Sequence, residues 1–204
     1  MLEILTNPDS FFEKKMNEEI SFKVPLIIIF VVGVIGAVNT MSMMQAIFAE
    51  LSSDAAQFAS YGSIFAAVVA IISVFIMWVM YALVFYAISL ALKGQGELKR
   101  VLEFVGYGFI PSIASSIIGL VVMRTVLPTI EFSIENPELM QQSMLSNPII
   151  QASTIIGVIF TIWSANIWIF GLMHSRNLST KNAIITVGIP IGLYIIYTLY
   201  SVFG

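Results

Sequence analysis

The sequence contains no cysteine. Disulfides, thiolate metal sites and cysteine nucleophiles are thereby excluded, and the redox compartment goes unmarked. A single histidine, His174, makes no metal site by itself. Charge is scarce as well: 10% of residues are Asp, Glu, Lys or Arg, against roughly 25% in a soluble domain. The charges that exist stand at the ends of apolar runs. No paired carboxylates, no Ser–His–acid set and no zinc ligand set lie within those runs, so no catalytic constellation and no metal site is expected. The lack of a midplane charge pair also argues against an ion-driven pump. Lys93-Gly94-Gln95-Gly96 lacks the G-x-x-x-x-G-K-S/T spacing of a phosphate-binding loop. No cofactor is expected. The net charge of −3 and the absence of a basic cluster give no sign of nucleic-acid binding. Met1–Lys23 is mixed polar with paired acids, unlike a basic leader followed by an apolar stretch, so no signal peptide is expected.

What fills the chain is apolar: 58% hydrophobic residues and a mean hydropathy of +0.95, the composition of a protein dissolved in lipid. Five runs are long enough to cross a hydrocarbon core of about 30 Å, at about 24–46, 61–92, 101–127, 149–173 and 183–203. The expected fold is an all-α integral membrane protein, a five-helix transmembrane bundle over 24–204 preceded by a short amphipathic interfacial helix within 1–23. Asn7-Pro8 has the form of a helix start, with Asn as cap and Pro at the first helical position. Phe12, Met16 and Ile20 then recur every four residues, a stripe that suits a helix on the membrane surface and equally a frayed lead-in to the first span. The run 61–92 carries neither charge nor proline; at about 1.5 Å per residue it exceeds the bilayer and must tilt or protrude. Asn136-Pro137 should open a short helix through Leu145, and Asn147-Pro148 repeats the device at the fourth run.

Orientation follows from the bases. Lys14, Lys15, Lys23, Lys93, Lys99, Arg100, Arg176 and Lys181 flank one side of the expected membrane, whereas Arg124 alone flanks the other. The positive-inside rule then places the N-terminus in the cytoplasm and the C-terminus outside. The loops on the outer side hold Glu50 and Asp54, and Glu131, Glu135 and Glu138.

The stretch Lys93–Pro111, K-G-Q-G-E-L-K-R-V-L-E-F-V-G-Y-G-F-I-P, is the polar turn between the second and third spans together with the start of the third. Gly106 and Gly108 loosen that helix, and Pro111 removes a donor, so a kink is expected there. Ser112, Ser115 and Ser116 follow and are able to satisfy freed carbonyls. Gly188, Pro190 and Gly192 promise a similar break in the fifth span, which suggests a weak internal repeat of two hairpins. Glu103, at the inner edge of span three, has Lys99, Arg100 or a base from another turn within reach, and an ion pair suits it better than proton transfer. Asn39 and Asn166 read as hydrogen-bonding links between helices. Met41, Met43, Met44 and Met123 are read as core residues rather than as a soft-metal site.

The opening N-P-D-S-F-F-E, the stretch L-K-G-Q-G-E-L-K-R-V-L-E-F-V-G-Y-G-F-I-P and the later G-L-M-H-S-R-N-L-S-T-K-N-A with its following I-P resemble the Yip1 domain family over nearly the whole chain. The most specific element is G-Y-x-x-I-P, here Gly106, Tyr107, Ile110 and Pro111. The resemblance implies five spans and a cytoplasmic N-terminus. In eukaryotic members it implies organisation of vesicle traffic through Rab GTPases and through other family members. Those contacts rest on a long N-terminal region; the roughly 23 residues here resemble the short prokaryotic form, which counts against GTPase binding. The expected function is that of a non-enzymatic membrane organiser. Its partners would be membrane lipids and membrane proteins or further copies of itself, with Gly106, Tyr107, Pro111, Lys99, Arg100 and Glu103 at the contact region. The alternative is a small transporter or channel for a neutral solute or lipid, with a cavity between spans three and five near Gly188, Pro190, Asn166 and Asn39.

Overall fold

The computed structural model describes residues 2–48, 53–130 and 137–204. Glu50, Glu131, Glu135 and Asn136 lie outside the described residues, as does the side chain of Asp54. The described chain is helical, with no strand. Two short helices, α1 (Glu3–Thr6) and α2 (Pro8–Met16), precede the long α3 (Lys23–Phe48) and α4 (Ser53–Ala91). Then come α5 (Leu98–Tyr107), α6 (Ile110–Val126) with a 3₁₀ turn at Leu127–Thr129, α7 (Pro137–Leu145), α8 (Pro148–Ser175) and α9 (Thr180–Phe203).

Five helical segments are long and apolar enough to span a bilayer: Lys23–Ile47, Ser60–Ala91, Ile110–Thr129, Pro148–Ser175 and Thr180–Phe203. Helix α4 has 39 residues, about 58 Å at 1.5 Å per residue, so it runs well past any hydrocarbon core. The helix starts obey local chemistry. The Asn7 side chain accepts from the Ser10 N–H with Pro8 in the first turn, and the Asn147 side chain accepts from the Ile149 N–H with Pro148 beside it. Ser179 caps α9 in the same way, through the Asn182 N–H.

Burial is lopsided. The core gathers Ile4 and Phe12 of the N-terminal helices, Val101, Phe104 and Val105 of α5, and the adjoining ends of α3, α4, α8 and α9. Side chains such as Phe65, Ile72, Ile159 and Ile196 instead face outward, as a lipid-facing surface does. The tight half of the molecule is the end that carries the basic turns.

Phe12 of the N-terminal stripe is buried against protein with Ile4, whereas Met16 is exposed. Two expectations change. The third apolar run is not one kinked helix: α5 ends at Tyr107 and the spanning helix begins at Ile110. The fifth run is not broken: α9 continues through Pro190, and a side chain at Gly188 or Gly192 would meet open space. The two hairpins therefore differ where a repeat would make them alike. Because Pro190 cannot donate to the carbonyl four residues back, Pro190→Ala should raise the unfolding midpoint of the detergent-solubilised protein. A drop, read by circular dichroism on heating, would show that packing requires a bend there.

Candidate functional site

The break between α5 and α6 is built from two tryptophans. The Trp78 indole of α4 donates to the Leu102 carbonyl at 2.9 Å, and the Trp168 indole of α8 donates to the Val105 carbonyl at 2.8 Å. Both carbonyls belong to α5, and that of Val105 also accepts from the Gly108 N–H at 3.1 Å, so the indole takes its second lone pair. The glycines make this approach possible. A Cβ on Gly106 would lie 2.6 Å from the Pro25 Cβ and 3.1 Å from the Trp78 Nε1, and one on Gly108 would overlap the Trp168 ring. Their purpose is therefore closeness rather than looseness. Pro111 sits in the first turn of α6, where a missing N–H costs nothing; it starts a helix instead of kinking one.

Tyr107 lies against the N-terminal helices. Its ring meets Phe11 edge-on at 5.2 Å and Phe12 at 6.3 Å, while Phe12 leans on Phe104 at 4.6 Å. Aromatic pairs in these geometries add about 0.5–1.5 kcal/mol beyond area burial. Beside Tyr107 opens a pocket of about 180 Å³ with Ile4, Phe11, Lys15, Glu18 and Val24 around it.

A buried ion cluster fixes the same helices from below. Glu103 is fully buried. Its carboxylate pairs with the Arg100 Nη1 at 2.7 Å, accepts from the Ser21 N–H at 3.2 Å and lies 3.8 Å from the Lys15 Nζ. Arg100 also donates to the Lys15 carbonyl in the last turn of α2 at 3.4 Å and to the Glu18 carbonyl just beyond it at 2.7 Å. Partial burial disfavours the charged ammonium of Lys15, but its hydrogen bond to Glu18 and the nearby Tyr107 and Glu103 hold its pKa above the ordinary lysine value. One carboxylate and one guanidinium thus join α5 to the segment after α2. Of the three bases considered for Glu103, Arg100 is the partner on its own helix; Lys99 is exposed and enters no ion pair among the described residues. Asp9 at the start of α2 reaches the His174 Nε2 at 2.7 Å, a third tie from the N-terminal segment to the bundle.

The two polar turns are clasped by Arg176, which is 1% exposed. Its guanidinium donates to the Ser89 hydroxyl at 2.8 Å, to the Gly94 carbonyl at 2.6 Å and to the Gly96 carbonyl, and it covers the Tyr86 ring at 4.3 Å. Its own carbonyl accepts from the Gln95 N–H at 2.7 Å. Gly96 takes φ +121°, and a Cβ there would collide with the Ser175 carbonyl. Sequence reading placed Arg176 among the loop bases; nothing local marks it as a buried clasp.

Other candidates fall elsewhere. Asn166 is exposed on α8 with no hydrogen bond to another helix. The buried Oδ1 of Asn39 has no partner. Among the described residues neither makes a hydrogen bond that links it to a neighbouring helix. Gly188 and Pro190 lie on α9 away from the turns.

The sequence model of the Yip1 domain family matches residues 2–202. The uncharacterised protein MJ0794 of Methanocaldococcus jannaschii is 31% identical over 120 residues, which is 59% of this chain and 85% of that relative. No solved structure matches.

Removing one side of a buried ion pair costs about 3–5 kcal/mol. Glu103→Ala should therefore release the N-terminal helices, whereas Lys99→Ala should shift stability by less than about 0.5 kcal/mol. Limited proteolysis in detergent checks this: cleavage between residues 14 and 23 should accelerate in the Glu103 variant alone.

Proposed function

Because the chain belongs to the Yip1 domain family, we propose that it is a non-enzymatic membrane organiser that assembles with membrane-protein partners, or further copies of itself, at its cytoplasmic face. The N-terminus is then cytoplasmic and the C-terminus outside, in line with the distribution of bases. The observation that carries the reading is the construction of that face. Glu103, Arg100 and Tyr107 lock the N-terminal helices onto α5, so helix surface and polar turns form one fixed platform. Around it Lys14, Lys23, Lys93, Lys99 and Lys181 are exposed. Each base near an anionic membrane surface contributes about 1 kcal/mol of attraction, which presses the platform toward headgroups and toward proteins held there. The pocket beside Tyr107 offers a cationic and an anionic group, Lys15 and Glu18, next to apolar walls, a mixture suited to a peptide segment.

A transporter built on two proline-broken helices is less well supported, since α9 runs unbroken through Pro190. Flux across proteoliposomes separates the readings, because an organiser turns nothing over.

Crosslinking and mass spectrometry in native membranes test the proposal. A defined protein partner, or a second copy, should be recovered with the natural chain and be diminished by Tyr107→Ala. Pro111→Ala should weaken the same crosslink more than Asn166→Ala. Equal recovery from all variants would sink the reading.

A further inference from the structure

A cavity of about 270 Å³ lies between α3, α4, α6, α8 and α9, with Val32, Phe109 and Trp168 deep in its wall. Its lining contains six hydroxyl-bearing residues, Ser73, Tyr81, Ser112, Thr161, Ser164 and Tyr194, and no charged one. Such a density of hydroxyls at mid-span is unusual for a space that serves only packing, since each must find a partner without water.

The hydroxyls are not equally occupied. Ser73 donates to the Val69 carbonyl at 2.8 Å and Thr161 to the Gly157 carbonyl at 2.9 Å, so each presents only lone pairs to the cavity. Ser164 is 1% exposed, and its Oγ has no hydrogen-bond partner. A helical serine ordinarily bonds back to its own helix. This one stands buried, facing a cavity, with both donor and acceptor capacity unused. A buried polar group left in that state costs about 1–3 kcal/mol.

The space has a way in from the side. Ser73 and Met77 on α4 and Tyr194 on α9 are exposed while they line the cavity, so its mouth opens between α4 and α9, toward lipid. Within, Ser164, Trp168 and Phe109 are buried.

We propose that this cavity binds the polar end of a neutral, hydroxyl-bearing lipid of the diacylglycerol type, admitted between α4 and α9. A phosphate or ammonium headgroup is excluded because no opposite charge lines the site and burial of an unpaired charge is prohibitive. A wholly hydrocarbon ligand would leave Ser164 unsatisfied. A molecule with a free hydroxyl and ester carbonyls supplies the acceptor that Ser164 needs and the donor that Ser73 and Thr161 take. Its chains follow the apolar flanks of α4 and α9 into the bilayer. The site is separate from the cytoplasmic platform and independent of its reading.

The test uses the full chain in phosphatidylcholine nanodiscs with a photoactivatable diacylglycerol, its crosslinking group near the glycerol, and a phosphatidylcholine carrying the same group as control. The diacylglycerol should label peptides of α8 and α9 saturably, be displaced by unlabelled dioleoylglycerol, and outdo the control probe. Ser164→Ala removes one neutral hydrogen bond and should raise the half-saturating concentration about fivefold. Ser164→Leu, which fills the space, should abolish saturable labelling. Unchanged circular dichroism and unchanged protease resistance of the N-terminal helices show that each variant is folded; if Ser164→Leu fails this, Ser164→Ala decides. Labelling that does not saturate, that the control probe matches, or that both folded variants retain would overturn the proposal and leave the cavity as a pocket for water.

Discussion

A helix buried among others must let its neighbours reach its backbone, and the end of α5 is such a place. The Trp78 and Trp168 indoles donate to the Leu102 and Val105 carbonyls, and the rest of the tight half depends on that approach. They require α4 and α8 to flank α5 closely, which requires Gly106 and Gly108. Once those helices are drawn together, Trp168 meets Tyr81 at 5.1 Å and both Phe85 and Phe109 at 5.5 Å. A single constraint, close packing away from solvent, thus sets the glycine spacing, the tryptophan positions and the aromatic core.

The same constraint explains why the charged groups cluster at one end. Glu103 is tolerable when fully buried because Arg100 and the Ser21 N–H reach its oxygens. Arg176 is tolerable because carbonyls, a hydroxyl and an aromatic face surround it. Arginine suits both roles, since its planar fork spreads one charge over several directional donors. These two residues do different jobs. Arg100 with Glu103 holds the N-terminal segment to the bundle, whereas Arg176 holds one hairpin turn to the other.

The five spans were legible because length and hydropathy are local properties, and the caps at Asn7 and Asn147 were legible because they bind their own helix. The family motif was legible as a string, but its meaning was not. Glycines that permit an indole to approach and glycines that loosen a helix look alike until the indole is located. A stripe of apolar residues suits a bilayer surface and a protein surface equally, and the N-terminal segment divides its own between them: Phe12 packs on protein and Met16 stays exposed. Pro190 and Pro111 share a dipeptide yet differ in effect, because one lies inside a continuous helix and the other begins one.

The contrast between the two halves bears on how such a protein works. At the basic end the buried charges are hydrogen-bonded and the helices interlock, which suits a surface that must present one shape to partners, although the buried Ser175 Oγ has no partner there. Toward mid-span the packing opens, and Ser164 Oγ and Asn39 Oδ1 stand without partners. Unmet hydrogen-bonding capacity in the looser half, with exposed Ser73, Met77 and Tyr194 at its edge, is better understood as capacity kept for a visitor from the bilayer. The rigid end and the receptive middle meet at Trp168, which donates to α5 on one side and walls the cavity on the other.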